Sequence, residues 1–340
     1  MAFDGITIAA MVQELHRNLD GGRFNKIAQP EADELLITGK GANGQCRLLL
    51  SASASLPLIY FTSKNKPSPM TAPGFCMLLR KYVGNGRITA ISQPGLERIL
   101  FFDIEHLNEL GDLCRKRLIV EIMGKHSNII FCDENNVILD SIKHISAQVS
   151  SVREVLPGRD YFIPHSGEKK NPLTITETEF KELLHSTPQN LSKALYMDLT
   201  GLSPVVAAEI CHLASLDGDI SAKEFSDAEL THLFHAFNWI MDDIREGNFT
   251  PNIIYEGEKP IEFAAVPLTM MEGGNYRTVK FDSISELLER YYAEKNTVSR
   301  IHQKSTDLRK IISNALERSV RKLDLQTKQL KDTEKREKAR

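Results

Sequence analysis

The sequence predicts an α+β protein, with a β-rich first part, a helical middle part and a long helix at the end. Three observations predict this architecture. Short runs rich in β-branched and aromatic residues, separated by turn residues, follow one another over residues 34–142. Apolar residues recur at helical spacing over residues 173–245, and again from Ile284 onward. Because most of the strands follow one another without a helix between them, we expect antiparallel sheets packed face to face.

The β-rich part is predicted to begin with a helix over residues 7–20, which ends at Gly21. A second helix, FCMLLRKYV, follows a Pro-rich loop and ends at Gly84. Residues 133–136 (DENN) are predicted to form a hairpin loop. Strands are expected in the runs ELLITG, QCRLLLSAS, PLIYFTS, GRITAISQ, RILFFDI, KRLIVEIM, SNIIFCD and NVILDSI.

The helical part follows a loop at residues 157–172. Its last helix is predicted in SDAELTHLFHAFNWIMDDI, with Ser226 at the N-cap position. Residues 251–281 are β-like again, and the chain is then helical to its end. Apolar residues in this final helix predict a coiled-coil seam at Val298, Ile301, Leu308, Ile312, Leu316, Val320, Leu323 and Leu330. The charged, uncapped end leads us to expect a returning strand of the coil beyond it.

These patterns predict four segments. A β-rich domain is expected at 1–172, a helical domain at 173–250, a β-like connecting segment at 251–283 and the start of a coiled-coil arm at 284–340.

Composition excludes several classes of protein. No run of about 18 apolar residues is present to span a bilayer. The first residues include Asp4 and no basic stretch, which is unlike a secretory signal. The five cysteines are scattered and never in CxxC spacing, which predicts free thiols in a reducing cytoplasm and neither a disulfide framework nor a zinc site.

Charge is distributed unevenly along the chain. Residues 290–340 carry 15 Lys and Arg against 7 Asp and Glu, whereas residues 173–249 carry 4 against 13. A duplex-DNA binder gains affinity from several cations on phosphates, which the helical segment cannot supply. The positive charge of residues 290–340 is typical of a segment that binds RNA or a membrane surface, and also of a solvated helix face with intrachain ion pairs. The coiled-coil pattern favours a scaffold arm over a helix lying on a membrane.

The stretch LTGLSPVVAAEI, residues 199–210, predicts a helical hairpin. Gly201 permits a positive φ in the turn before Leu202, Ser203 would cap the next helix, and Pro204 suits its first turn. Two interpretations remain open: a helix-hairpin-helix that lays backbone amides against nucleic-acid phosphate, or an ordinary αα-hairpin. The acidity of this segment favours the second.

Other motifs carry little chemistry. Gly39, Gly41 and Gly44 match GxGxxG, but a strand follows them where a nucleotide site needs a helix. His232 and His235 have helical spacing but lack a third ligand. We therefore predict no metal, no cofactor and no catalytic site. The pair Glu97–Arg98 is either a solvated strand end or a guanidinium presented to a phosphate or base edge.

Seven stretches occur in order along the chain: MAFDG, FCMLLRKYVGNGRI, LERILFF, EIMGKHSNIIF, ILDSIKHI, LPGRDY and GLSPVVAAEI. Together they resemble the NFACT family, whose bacterial members are called RqcH and are also known as fibronectin-binding proteins. The resemblance covers the NFACT-N domain, the helix-hairpin-helix domain and the outgoing half of the coiled coil. It implies an NFACT-N fold similar to the N-terminal β-sandwich of the formamidopyrimidine-DNA glycosylases.

The resemblance implies a role in ribosome-associated quality control. Family members bind obstructed large ribosomal subunits and recruit tRNA, alanyl-tRNA in bacteria, for C-terminal tailing of the stalled chain. The ribosome makes the peptide bond, so no enzyme activity is implied. Glu97–Arg98 stands at the position of the family's Asp–Arg pair for tRNA recruitment, with Glu in place of Asp. Glu121, Ile122 and Met123 match a second stretch linked to tRNA, although Ile122 and Met123 could equally face the core.

Three alternatives follow from the same comparison. The glycosylase activity is excluded, because Met1, Ala2 and Phe3 stand where those enzymes have a nucleophilic proline. The sequence shows no export signal, anchoring motif or disulfide pattern that would favour a fibronectin- or fibrinogen-binding adhesin. A cytoplasmic coiled-coil scaffold without RNA contact remains open.

Overall fold

The computed structural model describes residues 3–164 and 169–338, and the side chains of these residues except 296–307, 332, 334 and 336–338. The chain divides into two compact units, residues 1–291 and 292–340. The first unit contains nearly all the elements and every candidate site described below. The predicted boundaries at 172, 250 and 283 all fall within this first unit and stay predictions.

Nine strands of the first unit form one antiparallel sheet in the order β4-β3-β2-β1-β5-β6-β7-β8-β9. Their bounds are β1 Arg23–Glu31, β2 Glu34–Gly41, β3 Gly44–Ser51, β4 Leu58–Phe61, β5 Arg87–Ser92, β6 Ile99–Leu107, β7 Leu113–Glu121, β8 Asn128–Asp133 and β9 Ile138–Ser141. The α+β class and all eight expected strands are confirmed. The sequence did not predict β1, because RFNKIAQPE is rich in polar residues and contains a proline.

The sheet consists of two meanders, β1–β4 and β5–β9, that meet at β1 and β5. Only Arg23 and Arg87 pair directly between these two strands. The contact is extended by the amide of Ile88, which donates to the Gly22 carbonyl at 2.8 Å, and by the amide of Asn85, which donates to the Phe24 carbonyl at 2.7 Å. We expected separate sheets packed face to face; these bonds join the two meanders into one sheet.

Two helices cover the sheet. Helix α1, Gly5–Leu19, packs against β2, β5 and β6, and helix α2, Gly74–Val83, packs against β1, β6 and β9. Helix α1 buries one apolar face completely, with Ile6, Ile8, Met11, Leu15 and Leu19 at most 1% exposed. Burial of such side chains contributes about 1.5–3 kcal/mol each, so this face anchors the helix on the sheet.

Four helices follow, α3 Glu177–Ser186, α4 Leu191–Asp198, α5 Pro204–Leu213 and α6 Asp227–Glu246. Ser226 caps α6 as predicted, through a capping box with Glu229. The rings of Phe180 and Phe237 stack with centroids 4.9 Å apart and join α3 to α6. The predicted β-like segment is a three-stranded antiparallel sheet of β10 Asn252–Glu256, β11 Lys259–Ala264 and β12 Tyr276–Lys280.

The last helix, α7, runs from Ile284 to Lys338. Its first turns belong to the first unit, where Ile284, Leu287, Leu288 and Tyr291 are buried. In the second unit, the predicted seam residues Leu308, Ile312, Leu316, Val320, Leu323 and Leu330 are 47–65% exposed. Val298 and Ile301 lie outside the residues whose side chains are described. An apolar seam on a charged helix is typical of a coiled-coil strand.

Candidate nucleic-acid interface

The loop at residues 93–98 joins β5 to β6 and carries the pair Glu97–Arg98. It closes as a tight turn, with Gly95 at φ +56° and the amide of Glu97 donating to the Pro94 carbonyl at 3.0 Å. The Gln93 side-chain amide donates to the Glu97 carbonyl and to the Gly5 carbonyl, each at 2.8 Å. The loop is therefore braced from inside and tied to the start of α1.

Three backbone segments meet at Leu96. A Cβ atom on Gly5 would lie 1.9 Å from the Leu96 carbonyl oxygen, and one on Gly201 would lie 2.0 Å from the same oxygen. The amide of Gly5 donates to the Gly201 carbonyl at 2.9 Å. Because no side chain fits at either glycine, the hairpin turn, the first helix and the 93–98 loop pack backbone against backbone.

A buried carboxylate connects the hairpin to the first helix. Asp4 is 7% exposed and caps α1 by accepting hydrogen bonds from the amide and the hydroxyl of Thr7, at 2.9 and 3.0 Å. Its second oxygen accepts a hydrogen bond of 2.7 Å from the Ser203 hydroxyl. Burial raises the pKa of Asp4, and the hydrogen bonds from Ser203 and Thr7 act against that rise.

The hairpin prediction is right about the turn and wrong about one hydrogen bond. Gly201 has φ +77°, and Pro204 begins α5. Ser203 holds the N-cap position, but its side chain accepts no capping bond from an amide of α5; its hydroxyl donates to Asp4. Leu202 is 8% exposed. The turn is thus engaged with the β-rich part, which favours the architectural interpretation of the hairpin.

The two stretches predicted to contact tRNA lie side by side. Ile99, directly after Arg98, pairs with Glu121 across β6 and β7. The amide of Ile122 donates to the Arg98 carbonyl at 2.9 Å. The structure therefore places Glu97, Arg98 and Met123 at one end of these two strands, next to the Gly201 turn.

The side chains of the second stretch differ in exposure. Glu121 and Ile122 are both fully buried, and Met123 is half-buried. Ile122 thus takes the core-facing alternative left open by the sequence. Met123 lies at the edge, where its amide donates to the Ser127 hydroxyl at 2.8 Å.

Glu121 forms an ion pair beneath this edge. Its carboxylate accepts a hydrogen bond from Arg153, whose side chain is 9% exposed, and another of 2.9 Å from the Tyr161 hydroxyl. Burial raises the pKa of Glu121, and the charge of Arg153 acts against that rise. The carboxylate is fully engaged inside the protein, so its position suits holding the strand end rather than touching a ligand.

Two cations share the surface next to the loop. Burial lowers the pKa of Arg98, and the negative charges of Asp4 and Glu97 act in the opposite direction. Burial also lowers the pKa of Lys169, and the positive charge of Arg98 lowers it further. The negative charges of Glu97 and Asp198 act against both effects, so carboxylates already offset part of the positive charge beside the loop.

Several residues of this arrangement were not predicted. Gln93, Leu96, Lys169 and Arg153 hold or flank the loop through contacts distant in sequence. The one local signal was Asp4, which precedes a helical pattern and so could have been recognised as an N-cap.

Neither a cluster of metal ligands nor a membrane-crossing helix is found among the described residues. There, no group of three or more His, Cys, Asp or Glu side chains could hold a metal ion, and His232 and His235 both lie on α6. The glycine motif forms the turn between β2 and β3, with Gly41 paired to Gly44. Within 3–164 and 169–338, no helix has the length and apolar character needed to cross a bilayer.

Comparison with known proteins gives the class to which this fold and site belong. Residues 4–340 match the family described as NFACT N-terminal and middle domains. The chain therefore belongs to the NFACT family, and the resemblance seen in its motifs is confirmed.

Its relatives include the Rqc2 homolog RqcH of Bacillus subtilis, which is 36% identical over 337 residues, 98% of this chain and 56% of that protein. The ribosome quality control complex subunit NEMF of Homo sapiens is 22% identical over 333 residues, 91% of this chain and 30% of that protein. The chain is thus a homologue of RqcH and NEMF proteins and spans a little over half the length of the bacterial relative.

Solved structures support the same fold. The N-terminal part of the fibronectin/fibrinogen-binding protein from Streptococcus suis has 32% identity and a TM-score of 0.70, over 86% of this chain and 99% of that one. The fibrinogen binding protein from Staphylococcus aureus has 31% identity and a TM-score of 0.72 over the same shares, 86% and 99%. Lactococcus lactis Fpg in complex with DNA is much less similar, with 13% identity and a TM-score of 0.37.

Proposed function

We propose that this chain is the tRNA-recruiting part of a ribosome-associated quality control factor. The observation that carries the proposal is the convergence at Leu96, where Gly5 and Gly201 clamp the loop that presents Arg98. A binding site gains affinity when its loop is already held in one conformation, because less freedom is lost on binding. The clamped 93–98 loop meets that condition.

Two cations beside the loop provide possible contacts for an anionic ligand. Arg98 and Lys169 are both partly desolvated, and their positive charges repel each other. A phosphate between them would add to the compensation that Glu97 and nearby carboxylates supply, and a guanidinium can bind phosphate with two parallel hydrogen bonds. Met123, half-buried beside Arg98, offers an apolar contact to a base or ribose. Glu121 and Ile122 would act by holding this edge in place.

In this proposal the chain makes no covalent bond itself. It would act in the cytoplasm, bind the large ribosomal subunit through the basic α7 arm, and present tRNA, alanyl-tRNA by analogy with bacterial RqcH, for tailing of a stalled chain. The ribosome would form the peptide bond. The support is homology to RqcH and NEMF proteins together with the positive charge on residues 290–340.

The proposal is tested by filter binding of the 340-residue chain to alanyl-tRNA, with a DNA duplex of equal length as competitor. Arg98→Ala is expected to weaken tRNA binding about tenfold, since a lost phosphate or base contact costs about 1–3 kcal/mol. Arg277→Ala, a change at an exposed arginine on β12, serves as the matched control and should leave affinity unchanged. Equal affinities for both variants would contradict a tRNA contact at Arg98.

A second candidate function comes from the names of the solved relatives, which are called fibronectin/fibrinogen-binding and fibrinogen binding proteins. Surface plasmon resonance with immobilised fibronectin and fibrinogen tests it. Saturable binding that survives Arg98→Ala, together with no tRNA binding, would favour adhesion over the RNA function.

A further inference from the structure

A row of charged residues crosses the sheet at the seam between the two meanders. Direct cross-strand partners link Lys40 of β2 to Arg23 of β1, Arg23 to Arg87 of β5, Arg87 to Glu105 of β6, and Glu105 to Arg115 of β7. We name this set the seam row; its members are Lys40, Arg23, Arg87, Glu105 and Arg115. It contains four cations and one carboxylate.

All five side chains leave the same face of the sheet, because directly paired residues of antiparallel strands point to the same side. Adjacent strands lie about 4.8 Å apart, so the seam row spans about 19 Å. Lys40, Arg23, Arg87 and Arg115 are exposed, and Glu105 is half-buried. The row is therefore an open line of charge and not a pocket closed around one small ion.

The carboxylate leaves most of the positive charge uncompensated. Glu105 is bound to Arg115, with 3.0 Å between the carboxylate oxygen and Nε. Arg23 donates to the Asn85 carbonyl at 2.8 Å. Within the described part of the chain, Lys40, Arg23 and Arg87 form no ion pair.

Like charges directly opposite each other on neighbouring strands are destabilising. Here three of them stand in line, at the direct residue pair Arg23–Arg87 that joins the two halves of the sheet. Residues 1–289 carry 27 Lys and Arg against 38 Asp and Glu, so this concentration of cations is local. A ligand with regularly spaced negative charges would offset the repulsion.

We propose that the seam row binds the phosphodiester backbone of RNA. The assignment to RNA rests on the proposed function, whereas the preference for an extended polyanion rests on the geometry of the row. Guanidinium groups match phosphate oxygens in fork geometry, and the three cations outside the Glu105–Arg115 ion pair are spread over about 10 Å, so they can meet successive phosphates. The contact would supply affinity without sequence selectivity, since phosphate contacts position a nucleic acid and carry no base information.

This surface is separate from the Arg98 loop. Arg98 precedes β6, whereas Glu105 lies near the other end of that strand. Seven residues of extended chain span about 24 Å, so the two regions would contact an RNA at distinct points.

The test uses the 340-residue chain and a fluorescent single-stranded RNA of about 20 nucleotides and mixed sequence, titrated at several salt concentrations. The triple variant Lys40→Gln, Arg23→Gln and Arg87→Gln is expected to bind at least tenfold more weakly at low salt. Its slope of log affinity against log salt should fall by about 2, because each phosphate contact on a single strand contributes about 0.7. The control variant Lys193→Gln, Lys223→Gln and Lys259→Gln removes three exposed cations elsewhere and should match the wild type in both quantities.

Several outcomes would overturn the proposal. The first is that the wild-type chain does not bind the RNA. The second is that the triple variant and the control variant bind the RNA with the same affinity. The third is that the wild-type chain binds polyglutamate of the same charge as tightly as it binds the RNA. Displacement of the RNA by inorganic phosphate beyond the effect of ionic strength would also contradict an extended polyanion. Arg98→Ala, measured separately with tRNA, distinguishes failure of the seam row from failure of the proposed function. If Arg98→Ala does not weaken tRNA binding, the proposed function is contradicted. If the triple variant does not weaken RNA binding, the seam-row proposal is contradicted.

Discussion

The Ser203 hydroxyl donates a 2.7 Å hydrogen bond to the Asp4 carboxylate, across 199 positions of the chain. The same carboxylate caps α1 through Thr7, so one buried group joins the hairpin of the helical region to the first helix of the β-rich region. Beside this bond, Leu96 packs between Gly5 and Gly201. Placement of the Arg98 loop therefore depends on contacts between regions that are far apart in sequence.

Removal of the Ser203 hydroxyl should destabilise the protein. Ser203→Ala leaves the buried Asp4 carboxylate with one hydrogen bond fewer, and an unsatisfied buried polar group costs about 1–3 kcal/mol. Urea unfolding followed by circular dichroism measures the loss. Ser55→Ala, at an exposed serine, is the control and should change the free energy of unfolding by less than about 0.5 kcal/mol. Equal stability of the two variants would mean that the Ser203–Asp4 bond contributes nothing.

Asp4 should also make stability depend on pH. Burial raises its pKa in the folded protein above the ordinary value of 3.8. The folded state then binds this proton more tightly than the unfolded state, so the contribution of Asp4 to stability falls as pH rises from 3.8 through the raised pKa. Asp4→Asn removes that contribution. As pH rises, the wild type should therefore lose unfolding free energy relative to the Asp4→Asn variant. A difference that stays constant from pH 3.5 to about 7 would contradict a raised pKa at Asp4.

Gly201→Ala should destabilise the protein more than a comparable change at an open turn. At Gly201 a methyl group meets the Leu96 carbonyl oxygen at 2.0 Å and the residue has φ +77°. Gly257 has φ +59° with nothing within 4 Å of an added Cβ, so Gly257→Ala carries the backbone strain without the clash. Both changes cost at least about 1 kcal/mol for a positive φ. Thermal unfolding should show a clearly lower Tm for Gly201→Ala, and equal Tm values would argue against the backbone clamp.

The ion pair beneath Met123 should matter more than an exposed one. Arg153→Ala leaves the fully buried Glu121 carboxylate without its cation, a change that costs about 3–5 kcal/mol in buried pairs. Arg159→Ala removes an ion pair to Glu154 in which the arginine side chain is 60% exposed, and exposed pairs contribute about 0–1 kcal/mol. Urea unfolding compares the two, and a similar loss in both variants would show that Glu121 does not depend on Arg153.

Local patterns predicted most of the elements. In the strands of this chain, runs of β-branched and aromatic residues lie between turn residues, and in the helices apolar residues recur at helical spacing. β1 escaped prediction because its sequence, RFNKIAQPE, is rich in polar residues and contains a proline. The union of the two meanders through Arg23 and Arg87 could not be predicted, since a single pair between distant strands leaves no periodic signal.

The candidate site was harder to predict than the fold. A tight turn at Gly201 followed from its neighbours, but the hydrogen-bond partner of the Ser203 side chain is Asp4 in the β-rich region, 199 positions away, and not an amide of α5. Resemblance to the NFACT motifs predicted that Glu97, Arg98 and residues 121–123 contact tRNA. Their proximity follows only from pairing of β6 with β7, which also separates buried Glu121 and Ile122 from the half-buried Met123.

The most direct test of the tRNA-recruiting proposal is a double-mutant cycle on tRNA affinity with Arg98→Ala, Lys169→Ala and the double variant. If both cations hold one anionic group of the tRNA, each single change weakens binding and the two effects are coupled by about 1 kcal/mol or more. Additive effects would place the two side chains on independent contacts. If neither change alters tRNA affinity, tRNA is not bound at this loop, and the central claim is contradicted.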